Sequence, residues 1–160
     1  VTAILLQLGD SAVLNCKDVS SVALESVAAI PALVLESVGP FPHAVNVPFH
    51  DSQARGKAVL IRTGWDQLRG TPAFDEPGPY LHEELIFRLI RARVRLVGFD
   101  FGAVNNYREL IEKDIPVVEY LANLKSVPSW TSRFFAVPSR VPGTSAPVRP
   151  FVIVNSVDPV

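Results

Sequence analysis

The chain has 160 residues, of which 48% are hydrophobic and 19% charged, with a formal net charge of -1. That is enough apolar material for one hydrophobic core, and the near-neutral balance excludes a basic nucleic-acid platform or a polyacidic tail as the basis of function. A single cysteine, Cys16, excludes an internal disulfide, and no apolar run reaches the roughly 18 residues that cross a bilayer. These features predict one soluble, cytoplasmic domain over residues 1–160, with no nucleic-acid and no membrane partner, and the alternation of short apolar runs with helix-periodic segments reads as mixed α/β. The opening Val1–Leu6 lacks the basic flank of a signal peptide. The chain contains no methionine, and an N-terminal segment carrying further strands is expected to be missing.

In chain order, Val1 to Leu6 is a candidate strand, and Ser21 to Ile30 reads as a short helix. Ala32 to Val38, Ala58 to Thr63 and Val94 to Phe99 are rich in valine, isoleucine, leucine and phenylalanine and are bounded by turn residues, as buried strands are. Between the last two, His82 to Arg93 repeats Leu85, Ile86, Leu89 and Ile90 at helical spacing opposite Glu83, Glu84, Arg88 and Arg91. Asn105 or Asn106 is placed to cap a second helix from about Tyr107 to Lys113, which stops before Pro116. Phe134 to Val141 and Pro150 to Val154 complete the strands. Proline-rich connectors are expected at Gly39 to Pro48, Gly70 to Pro79 and Pro138 to Pro150.

Familiar catalytic signatures are missing. There is no Gly-x-Ser-x-Gly elbow, no Gly-x-x-x-x-Gly-Lys loop, no Gly-x-Gly-x-x-Gly and no Cys-x-x-Cys pair. His43 and His50 lie in a loop whose prolines prevent helical ligand geometry, and His82 opens a helix. His50 beside Asp51 is a possible acid/base pair without a nucleophile tied to it. Cys16 reads as a buried, unreactive thiol, with activation by Lys17 as the functional alternative.

Five blocks in order carry a resemblance: Lys57 to Trp65 (Lys-Ala-Val-Leu-Ile-Arg-Thr-Gly-Trp), Pro79-Tyr80-Leu81 before a helix, Val94 to Asp100, Ile115 to Leu124, and Ala146 to Pro150. Together they resemble the cyclase family that includes bacterial kynurenine formamidase. The resemblance implies a swivelling β/β/α fold, a mixed sheet with packed helices, a homodimer or homotetramer, and hydrolysis of amide-type bonds with bound metal.

The family's metal site comes from His-x-Gly-Thr-His-x-Asp-x-Pro-x-His, then a later histidine and a glutamate twelve residues beyond it. Anchoring that motif on Gly9 puts Gln7 and Ser11 at two histidine positions, Val13 at the aspartate, Asn15 at the proline and Lys17 at the last histidine; Tyr107 and Glu119 fall at the later pair. Only Glu119 keeps a metal-binding side chain. Glutamine and serine are poor zinc ligands, valine has no donor atom, and a protonated lysine repels a dication, so the zinc that the family implies is not expected here and no cofactor is assigned.

The expectation is therefore a protein of the family without its metal chemistry, binding a small molecule in the old cleft or acting as a subunit, with Gln7, Ser11, Lys17, Trp65, Tyr107 and Glu119 as binding residues. The alternative is an amide-bond hydrolase using metal-free chemistry through Lys17, Tyr107 and Glu119 or through His50 and Asp51. Two readings of Glu119 stay open: opposition by the Lys17 ammonium, or exposure or bonding to backbone. Simpler roles are expected for three residues near these blocks. Asp100 caps the next turn, Trp65 is core or pocket wall, and Arg62 pairs with Asp66 or Asp100.

Overall fold

A computed structural model describes residues 2–5, 12–40, 44–102, 106–128 and 132–154, the first four by backbone alone. In chain order the strands are β1 (Thr2–Leu5), β2 (Ala12–Asn15), β3 (Ile30–Glu36), β4 (Ala44–Val45), β5 (Ala58–Arg62), β6 (Tyr80–Leu81), β7 (Leu96–Phe99), β8 (Val117–Glu119), β9 (Ser132–Phe135), β10 (Ser145–Val148) and β11 (Phe151–Val154). The helices are α1 (Asp51–Ala54), α2 (Glu83–Ala92) and α3 (Arg108–Glu112).

Among the described residues, nine strands form one mixed sheet in the order β1-β11-β9-β3-β5-β7-β8-β2-β10, and β4 pairs with β6 in a separate ribbon. The centre β3-β5-β7-β8 is parallel, and both wings are antiparallel. The central strands are covered on both faces. Val59, Ile61, Val97, Phe99 and Val117 pack with α2 in one cluster, while Ala58, Leu60, Leu96 and Val118 belong to the opposite one. Burial on both faces is why these strands are continuous apolar runs without alternation.

Helix α2 forms where the periodicity predicts it. Leu85, Ile86, Leu89 and Ala92 are its buried stripe, His82 Nδ1 accepts from Glu84 N–H at 3.2 Å at its start, and Arg93 ends it at φ 57°. Leu89 is fully buried, and truncating it to alanine would cost about 2–5 kcal/mol. Gly98 marks the tightest approach across β7, because a Cβ there would lie 2.7 Å from Leu121 Cδ1 and 3.0 Å from Leu60 Cδ2.

Several expected elements are placed differently. The helix expected over Ser21 to Ile30 is replaced by 3-10 turns at Val19–Ser21 and Leu24–Ser26; Ala29 sits at φ 54°, and Pro31 biases Ile30 toward the extended start of β3. The strand expected over Phe134 to Val141 is shifted to Ser132–Phe135. Two of the expected connectors contain strands, β4 and β10. Pro147 fits within β10 because that strand is the sheet's edge, where one side of the backbone needs no partner.

Candidate functional site

Because β5, β7 and β8 run parallel, their carboxyl ends arrive at one edge of the sheet, where clefts of open α/β sheets form. Thr63 and Gly64 follow β5, Asp100 follows β7, and Glu119 ends β8. Asp100 is fully buried. Its carboxylate accepts from Thr63 N–H at 2.9 Å, Thr63 Oγ1–H at 2.7 Å and Gly64 N–H at 2.7 Å, and so ties the end of β7 to the turn after β5. Burial pushes its carboxyl up to about 6, against the lowering effect of these donors. Asp100 thus fastens the turn after β5, not its own next turn as expected.

Glu119 is 9% exposed. In the antiparallel pairing of β2 with β8, Val13 stands directly opposite Glu119 and Asn15 opposite Val117. With a two-residue repeat, Val13, Asn15, Val117 and Glu119 share a face. Asn15 Nδ2–H donates to Glu119 Oε2 at 2.8 Å, and the Tyr107 hydroxyl, carried at the start of α3, donates to the same oxygen at 2.9 Å. The Tyr107 phenol is held well above its ordinary range, first by burial, then by the Glu119 charge and by this hydrogen bond. It stays a proton donor at neutral pH. A groove of about 700 Å³ is lined by Asn15, Cys16, Lys17, Tyr107, Arg108, Ile111 and Thr144, so two partners of Glu119 form part of its wall.

The structure joins Tyr107 and Glu119 directly, while Lys17 lines the same groove with its ammonium turned to another carboxylate. Lys17 Nζ pairs with Asp114 Oδ1 at 2.8 Å, and both side chains are more than half exposed. The expected Lys17 to Glu119 opposition is not made, because Lys17 lies past the end of β2 where its chain extends toward solvent. Gln7, Gly9 and Ser11 lie outside the described residues, as do His43 and Asn105. Trp65 is 4% exposed and stacks on Phe74 with ring centroids 6.1 Å apart, a core position.

Among the remaining expectations, Arg62 pairs with Glu36 at 2.9 Å, not with Asp66 or Asp100. Both side chains leave neighbouring parallel strands in register. Asp51 is held by Arg91 through two bonds of 2.9 Å, which commits it away from His50. Asn106 donates to the Leu81 carbonyl at 2.6 Å. Burial raises the Cys16 thiol above its ordinary range, which opposes activation.

Asn15 was not among the expected binding residues, yet its two-residue offset from Val13 was a readable signal. Arg69 and Asp66, which reach the turn after Glu119, had no such signal. Arg69 Nη2–H donates to the Tyr120 carbonyl at 2.6 Å, and Asn123 N–H donates to Asp66 Oδ2 at 2.9 Å. Among the described residues, no three His, Cys, Asp or Glu side chains converge as a metal ion would require.

Comparison with known proteins agrees with this architecture. The pattern of the family described as "Putative cyclase" matches residues 13–106, more than half of the chain. An isatin hydrolase structure bound to the product analogue thioisatinate is 16% identical, with a TM-score of 0.72 over 90% of this chain and 71% of that one. Isatin hydrolase A from Labrenzia aggregata, bound to benzyl benzoate, is 18% identical, with a TM-score of 0.71 over 91% and 73% of the two chains. A predicted metal-dependent hydrolase from Bacillus stearothermophilus is 16% identical, with a TM-score of 0.63 over 94% and 85%. At these identities the likeness speaks for the fold. No curated protein matches the chain. The matched pattern, with the mixed sheet and its cleft edge, makes the chain a member of the cyclase family.

Proposed function

We propose that this protein is a cyclase-family member whose cleft binds a small molecule without the metal-dependent hydrolysis of its relatives. The observation that supports this most is the environment of Glu119: a valine directly opposite, and an amide and a phenol donating to its Oε2. A catalytic zinc needs about three protein ligands drawn from imidazole, thiolate or carboxylate. Val13 has no donor atom, Asn15 and Tyr107 present hydrogens to the carboxylate, and Lys17 is cationic, so these residues do not fit a resident divalent ion. Without such an ion, the metal-bound hydroxide that metal-dependent hydrolysis uses has no source at this site.

Solved relatives carry thioisatinate and benzyl benzoate, and small aromatic acids and esters are therefore the first ligands to try. A homodimer or homotetramer and a cytoplasmic location accompany this reading. The hydrolytic alternative finds one supporting observation, the direct Tyr107 to Glu119 hydrogen bond. The raised Tyr107 phenol weighs against it, since a general acid works best with a pKa near the operating pH.

The test is an assay of purified protein with N-formylkynurenine, aryl formamides and isatin, beside thermal-shift titration with isatinate and benzoate. No turnover together with saturable stabilisation by an aromatic acid is expected. Turnover above background that is lost in Glu119→Gln would overturn the proposal.

A further inference from the structure

We propose that Asp66 and Arg69 form a two-point latch on the turn after β8, making them positioning residues for the Glu119 carboxylate. This rests on the proposed binding reading, in which Asn15 and Tyr107, the partners of Glu119, line the cleft. Tyr120, the residue after Glu119, has φ 59°, and Asn123 has φ 65°. Left-handed backbone is unfavourable for a residue with a Cβ, and worse for tyrosine than for asparagine, so such a turn persists only where its surroundings impose it.

The surroundings are specific. Tyr120 N–H donates to the Phe101 carbonyl and Leu121 N–H to the Phe99 carbonyl, both at 3.0 Å, which fixes one side of the turn to the end of β7. The other side is held by the latch, Arg69 giving a hydrogen bond to the Tyr120 carbonyl and Asp66 taking one from Asn123 N–H. The two bonds therefore fall on the two left-handed residues themselves. The segment that carries Asp66 and Arg69 is itself anchored, because Thr63 and Gly64 at its start are bonded to buried Asp100.

Space and packing agree with this. A Cβ on Gly102 would collide with the Tyr120 hydroxyl and ring, and the Phe74 ring lies 6.5 Å from that of Tyr120. Releasing the Tyr120 carbonyl frees the peptide between Tyr120 and Leu121, one residue beyond Glu119. The last residue of β8 then has a loosened C-terminal side, and its carboxylate loses its fixed alignment with the Asn15 amide of β2 and the Tyr107 hydroxyl of α3.

Protein labelled with [13Cζ]tyrosine tests the latch at neutral pH, since the chain has only three tyrosines and the Cζ resonance reports on the hydroxyl's hydrogen bond. Each resonance is assigned by its loss in the corresponding Tyr→Phe variant, and Glu119→Gln gives the Tyr107 position without a charged acceptor. Arg69→Met, which keeps volume but no donor, is expected to move the Tyr107 resonance at least half of the way to its Glu119→Gln position. Arg69→Lys, which keeps a donor, is expected to return it most of the way. Asp66→Asn is the second variant should Arg69→Met melt at the working temperature.

A Tyr107 resonance that stays at the wild-type position in folded Arg69→Met or folded Asp66→Asn overturns the latch. The binding reading fails separately, through wild-type protein that isatinate and benzoate do not stabilise. A moving Tyr107 resonance in that same protein would still support the latch.

Discussion

The Tyr107 hydroxyl and the Asn15 amide meet on the same oxygen of Glu119, at 2.9 and 2.8 Å, although they arrive from a helix start and from a strand of opposite direction. A buried carboxylate that loses one donor keeps its desolvation cost with less compensation. Tyr107→Phe should therefore lower stability by about 1–3 kcal/mol, seen as a lower urea midpoint at unchanged slope. A loss within experimental error would mean that water replaces the phenol without penalty.

Lys17 should behave differently. Its ion pair with Asp114 is between side chains 55% and 76% exposed, a setting in which such pairs contribute less than about 1 kcal/mol. Lys17→Ala is expected to leave the denaturation midpoint nearly unchanged, and to weaken further as a perturbation in 1 M salt. A loss as large as that of Tyr107→Phe would place the ammonium in the Glu119 cluster after all.

Asp100 gives a pH dependence with a definite sign. Its carboxyl rises from an ordinary 3.8 to about 6 in the folded state, so the folded protein holds the proton more tightly than the unfolded chain. The resulting stability is fully present below pH 4 and is lost as pH rises through 6, an effect of about 3 kcal/mol at most. Other carboxylates act over the same range, and Asp100→Asn isolates this one. The variant should be less stable than wild type by about 1–3 kcal/mol at pH 7, because its amide hydrogens face the donors of Thr63 and Gly64. The gap between the two should widen from pH 7 to pH 4.5 in urea titrations; a constant gap would show that Asp100 does not titrate in this range.

Gly102→Ala tests the packing around the turn after Glu119. The added methyl meets the hydroxyl end of Tyr120, and the ring must shift against Phe74. Overpacking of this kind costs about 1–3 kcal/mol. The near-ultraviolet circular dichroism should change along with the midpoint, whereas an unchanged spectrum would show that the Tyr120 ring is not displaced.

The central strands were legible because burial on both faces leaves continuous apolar runs, as in Ala58 to Ile61, and α2 was legible through its apolar stripe. Segments whose conformation depends on a distant partner were not. Ser145 to Val148 is a strand only because β2 offers it an edge, and the 3-10 turns before β3 replace a helix that composition alone favoured. At the site, residue types were enough to say that Val13 and Lys17 are unsuited to a metal. Which groups surround Glu119 depended on register: Asn15 reaches it because β2 and β8 are antiparallel neighbours. Lys17, two residues further on, has already left the sheet and turned to Asp114.

Calorimetric titration of the metal-free protein with zinc and with manganese at pH 7 bears most directly on the cleft. The expected result is no saturable heat below millimolar concentration with either ion, in wild type and Glu119→Gln alike. Stoichiometric micromolar binding that disappears in Glu119→Gln would contradict it, and would restore a metal centre at the end of β8.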